Sequence, residues 1–66
     1  MNVILNGAPQ HLDKIASLEE LVRHRCKNPA HVITEVNGTI VPKTDRANVA
    51  IKEGDRLELV SFVGGG

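Results

Sequence analysis

The sequence predicts an α+β fold of the β-grasp type, a small mixed sheet with one main helix packed across it. Three observations predict it. Two Asn-Gly pairs, Asn6-Gly7 and Asn37-Gly38, each interrupt β-branched apolar stretches and so mark hairpins. Between them lies one segment with helical spacing of its apolar residues, and the best strand pattern of the chain comes last. Laying the single helix across the sheet is the economical way to bury one helix stripe and one sheet face. In that arrangement the first and last strands run side by side and parallel.

The opening run, Met1-Asn2-Val3-Ile4-Leu5, is short and apolar and stops at Asn6-Gly7. Ala8 and Pro9 are expected to lengthen the turn, with Gln10-His11-Leu12 returning as a second strand. Alternation places Val3, Leu5 and Leu12 toward the core and Ile4 outward. Ser17-Leu18-Glu19-Glu20 fits a capping box, in which Ser17 accepts from the Glu20 amide and Glu20 reaches back. Leu18, Leu21, Val22 and Cys26 then form one stripe, while Arg23, Arg25 and Lys27 suit the negative end of the helix dipole. Asn28-Pro29 closes the helix at roughly ten residues.

Val32–Val36 and Thr39–Val41 flank the second Asn-Gly, and Pro42 ends the unit. Lys43 to Asn48 reads as a polar connection with room for one helical turn, and Val49-Ala50-Ile51 as a weak apolar patch. The turn Lys52-Glu53-Gly54-Asp55 leads into Arg56–Val63. There Leu57 and Leu59 share one face; Arg56, Glu58, Val60 and Phe62 share the other.

Sixty-six residues suffice for one domain, here residues 1–63, followed by a flexible glycine tail at 64–66. Eight basic residues balance eight acidic ones, which gives nothing to neutralise a phosphate backbone or an anionic membrane surface. Phe62 is the one aromatic residue, so base-stacking platforms are lacking as well. No nucleic-acid or membrane partner is therefore expected. The lone Cys26 suits a reducing compartment, and the chain reads as cytoplasmic and complete from its own Met1.

The body of the domain offers little chemistry. His24 and Cys26, two apart on a helix, point away from each other and make a poor metal pair, while His11 and His31 lack ligand spacing; no metal site is expected. Cys26 falls on the apolar stripe, where a free cysteine behaves as a small hydrophobe. No phosphate loop, nucleophile elbow or carboxylate pair is present, so the chain is not expected to be an enzyme on its own.

The tail is more informative. Gly64-Gly65-Gly66 directly follows a strand pattern. Glycines there can be mere linker. Without Cβ, however, such a segment can pass through a narrow channel, and three extended residues reach roughly 10 Å. A terminal carboxylate delivered that way can attack the α-phosphate of ATP, giving an acyl adenylate whose AMP a sulfur or amine nucleophile displaces.

Across its whole length the chain resembles the ThiS family, the ubiquitin-like sulfur carriers of thiamine biosynthesis. The resemblance lies in Val3-Ile4-Leu5-Asn6-Gly7, in the helix opening Ser17-Leu18-Glu19-Glu20-Leu21-Val22, in Val36-Asn37-Gly38-Thr39-Ile40-Val41-Pro42, in Glu53-Gly54-Asp55-Arg56-Leu57-Glu58-Leu59-Val60 and in the ending Val63-Gly64-Gly65-Gly66. It implies that Gly66 is adenylated by a ubiquitin-activating-like adenylyltransferase, which uses ATP, with no cofactor bound to the carrier itself. A cysteine desulfurase or other persulfide donor then supplies sulfur for a thiocarboxylate, and thiazole synthase consumes it. Gly64 departs from the family, which often has Ala or another small residue there.

Two other readings compete. One is a carrier of another sulfur pathway, similar to the small subunit of molybdopterin synthase or serving cysteine synthesis. The other is a ubiquitin-like binding module recognised through its sheet. Ile4, Val60 and Phe62 project outward and are expected to form a partner-docking patch, although scattered surface hydrophobes are ordinary.

Overall fold

In the computed structural model, which describes residues 1–62, the chain folds as β1 (Asn2–Leu5), β2 (Ala8–His11), α1 (Leu18–Arg25), β3 (Val32–Val36), β4 (Thr39–Val41) and β5 (Arg56–Ser61). Short 3-10 helices occupy Pro29–His31 and Lys43–Asn48. The strands form one sheet in the order β2-β1-β5-β3-β4. Strands β1 and β5 are parallel and the other neighbours antiparallel, with α1 on one face: a ubiquitin-like β-grasp fold.

Both Asn-Gly pairs build two-residue hairpin turns. Asn6 (φ 50°) and Gly7 (φ 82°), and likewise Asn37 (φ 51°) and Gly38 (φ 86°), take the positive φ that such turns demand at both positions. Because two residues are enough, the first hairpin differs from expectation. Ala8 and Pro9 belong to β2, opposite Leu5 and Ile4, and do not lengthen the turn. Pro9 is tolerated because β2 is an edge strand, where a missing N–H costs no ladder bond on the outer side.

The helix is also shorter than expected, eight residues against about ten. Ser17 caps it, its Oγ accepting from the Glu20 amide at 3.2 Å, while the Glu20 carboxylate reaches the Ser17 hydroxyl at 3.2 Å. At the other end Cys26 is already extended (φ −122°, ψ 135°), its N–H donating to the Val22 carbonyl. Turning out at Cys26 leaves Lys27 and Asn28 to carry the chain to Pro29, whose ring disfavours helix at the residue before it.

Leu18, Leu21 and Val22 are fully buried against Val3, Leu5, Leu12, Val32, Ile51 and Leu57. At roughly 1.5–3 kcal/mol per buried aliphatic side chain, these contacts are the main stabilising term. Cys26 and Leu59 are half-buried at the margin of this core. The weak patch Val49–Ile51 has a definite job. Leu18 donates to the Val49 carbonyl and Ile51 to the Ala16 carbonyl, each at 2.9 Å, which stitches the helix start to the segment before β5.

One feature has no sequence signal of its own. Arg46, in the connection Lys43–Asn48, is 2% exposed, and among the described residues no carboxylate pairs with it. Its guanidinium donates to the Pro29 carbonyl at 2.9 Å, to the Val32 carbonyl, and to Thr34 Oγ1 at 3.4 Å. The hydroxyl of the fully buried Thr34 in turn donates to the Val41 carbonyl at 2.9 Å.

Candidate functional site

The face of the sheet turned away from α1 takes its character from strand parity. On β5, Leu57 points into the core, so Arg56, Glu58 and Val60 point out. On β3, the buried Val32 and Thr34 leave Ile33 and Glu35 outside. Antiparallel register sets Ile33 directly opposite Val60, and Glu35 opposite both Glu58 on β5 and Ile40 on β4. Cross-strand partners of this kind stand about 5 Å apart at Cβ.

Val60 and Phe62 therefore share an exposed apolar cluster with Ile33, at the end of β5 from which the chain continues to residues 63–66. Their exposures run from 44% for Phe62 to 50% for Val60, and Ile40 beyond Glu35 reaches 63%. The Phe62 ring stacks on His31, with centroids 5.6 Å apart, and the Phe62 amide donates to the His31 carbonyl at 2.9 Å. Ile4 lies elsewhere on this face. It is half-buried opposite Arg56 and Pro9, and the four-residue step along β5 from Arg56 to Val60 amounts to roughly 13 Å of strand. Ile33 takes its place in the cluster, and Ile40 lies beyond Glu35 on the same face. Their signal was the same period-2 alternation that exposed Val60, applied to Val32–Val36 and Thr39–Val41.

Side chains from both hairpin turns fasten this face. Asn6 Oδ1 accepts from the Leu59 amide at 2.8 Å and its Nδ2 donates to the Leu59 carbonyl at 3.3 Å, which extends the β1–β5 pairing past the end of β1. Asn37 Oδ1 accepts from the Arg56 amide at 2.9 Å, and its Nδ2 donates to Asp55 Oδ1 at 3.0 Å. Asp55 Oδ2 accepts from the Lys52 amide, which closes the turn into β5. The strand that ends next to the tail is thus held from both flanks.

The expected sulfur-carrying residue Gly66 and the tail positions Gly64 and Gly65 lie outside the described residues. Among the described residues no three His, Cys, Asp or Glu side chains gather as a metal site. Among the described residues no helix is long and apolar enough to cross a membrane.

A family model described as the ThiS family matches residues 3–66. The chain belongs to the ThiS family. A crystal structure of the thiamine biosynthesis protein ThiS from Geobacter metallireducens superposes with a TM-score of 0.81 at 32% identity, covering all of both chains. The solution structure of a thiamine biosynthesis protein from the same organism gives 0.79, also at 32% identity, covering all of this chain and 88% of that one. In sequence, this ThiS-family chain is 36% identical over its whole length to a thiazole synthase of Paramagnetospirillum magneticum and 33% identical to one of Magnetococcus marinus. It spans only 20% of each of those longer proteins. The ycf40 protein of Pyropia yezoensis is 30% identical over all 66 residues, which make up 93% of its length.

Proposed function

We propose that this ThiS-family protein is a sulfur carrier for the thiazole step of thiamine biosynthesis, and not itself a catalyst. Its working group is the carboxylate of Gly66. The observation that carries the reading is the family match, which runs unbroken from the first strand through Gly66. An adenylyltransferase resembling ubiquitin-activating enzymes docks on the Ile33, Val60 and Phe62 cluster and receives Gly64-Gly65-Gly66. A Gly66 carboxylate oxygen attacks the α-phosphorus of ATP and pyrophosphate leaves. The acyl adenylate is then open to a persulfide supplied by a cysteine desulfurase or similar donor, whose terminal sulfur displaces AMP. A thiol then attacks the donor's sulfur in the resulting S–S bond, forming a disulfide with the donor, losing its proton and releasing the thiocarboxylate. Thiazole synthase takes that sulfur, a partnership supported by matches of the whole chain within longer thiazole synthases. The test is whole-protein mass spectrometry after incubation with the activating enzyme, ATP and a sulfur donor. The carrier should gain the mass difference between sulfur and oxygen, and a protein that stays unchanged would refute the reading.

A further inference from the structure

We infer that Arg46 is a positioning residue for the tail, acting through residues Pro29–Val32 to fix Phe62, the residue from which 63–66 begin. The inference rests on the carrier reading above. A buried guanidinium with no carboxylate partner is costly, and it is kept only where its donors are satisfied. Here they are satisfied by the two ends of one short segment, the Pro29 and Val32 carbonyls, with Thr34 Oγ1 next to it. A planar fork that grips both ends of a four-residue stretch holds it rigidly, which a lysine ammonium, donating from one point, does less well.

That stretch is also what holds Phe62. The His31 carbonyl, between the two gripped carbonyls, accepts the Phe62 amide at 2.9 Å, and the His31 ring stacks on the Phe62 ring. Among the described residues the Phe62 amide makes no other backbone bond. The route from buried cation to tail root is Arg46, Pro29–Val32, His31, Phe62. Arg46 itself is too buried to meet a partner protein. Its influence on sulfur loading therefore passes through placement of Phe62, which is both the tail root and a member of the exposed cluster.

Amide hydrogen exchange on the full chain, with Arg46→Lys and Arg46→Met beside the unaltered protein, tests the first link. Exchange at Phe62 should accelerate about tenfold more than at Leu57, whose central-strand amide follows global opening. Equal acceleration at both amides, no change at Phe62, or loss of the fold in both variants would overturn the inference, because Arg46 would then support the whole domain or nothing near Phe62. As a control on the last link, His31→Ala should also speed Phe62 exchange, whereas His31→Phe, which keeps a stacking ring, should not.

The second link is read in thiocarboxylate formation by Arg46→Lys. The kcat of the activating enzyme should fall at least about threefold, whatever the change in KM, since Phe62 belongs to the docking cluster as well. A raised KM with normal kcat, or unchanged turnover despite faster Phe62 exchange, contradicts a positioning role. If the unaltered protein forms no thiocarboxylate, the carrier reading fails, and with it the tail role. The exchange comparison still decides whether Arg46 holds Phe62.

Discussion

At the scale of single residues, parity along β5 separates the core face from the exposed face. Leu57 is fully buried, so Leu57→Ala should cost about 2–5 kcal/mol, measurable by urea unfolding. Leu59 touches the same core but is only half-buried, and its truncation should cost less. Val60→Asp sits on the open face and should cost about 1 kcal/mol or less, while raising KM for the activating enzyme about tenfold by placing a charge in the docking cluster. If Val60→Asp unfolds the domain and Leu57→Ala does not, the assignment of faces is wrong. Cys26 attracts any reader looking for sulfur chemistry, yet it is a half-buried helix-end residue packed on the core. Cys26→Ala should keep thiocarboxylate formation and lose only a little stability. Loss of sulfur loading in a folded Cys26→Ala protein would give the thiol a role that the carrier mechanism does not.

At the scale of elements, the hairpin turns matter more than the helix surface. Asn37 holds a positive φ and makes two side-chain bonds and one backbone bond to Asp55 and Arg56. Asn37→Ala should therefore destabilise by about 2–3 kcal/mol, combining lost hydrogen bonds with backbone strain. Asn37→Gly should cost roughly 1 kcal/mol less, because glycine accepts the same φ. Equal losses in both variants would mean that the backbone conformation contributes nothing. The Glu19–Arg23 pair on α1, at 2.7 Å but with Arg23 well exposed, is a weak contrast; Glu19→Gln should change stability by less than about 0.5 kcal/mol. Elements were legible in the sequence where chemistry is local. Asn-Gly fixed both turns, Ser17 the helix start, and alternation the faces of β3 and β5. The exact extent of β2 was not, since a two-residue turn followed by an edge strand lets Pro9 pair where a central strand would not. Arg46 was invisible for a different reason. An arginine in a polar connection looks solvated until the fold brings the Pro29 and Val32 carbonyls around it.

At the scale of the whole molecule, pairing the first strand with the last sets the outcome. The parallel β1–β5 ladder puts the last strand at the centre of the sheet, with β1 beside its first half and β3 along its length. The exposed apolar cluster was only partly legible because it depends on which strands are neighbours and in what register. Val60 and Phe62 follow from β5 alone, but placing Ile33 beside them, and Ile4 away from them, requires knowing which strands are neighbours. The role proposed for Gly64-Gly65-Gly66 rests on chemistry that needs no fold, and those residues lie outside the described ones. The central claim is thus a claim about Gly66, and mass spectrometry of the loaded carrier tests it most directly. Incubated with activating enzyme, ATP and a sulfur donor, the protein ending at Gly66 should exchange one terminal oxygen for sulfur, and variants lacking Gly66 or carrying one added alanine should not. Normal sulfur loading of the alanine-extended variant would contradict the account.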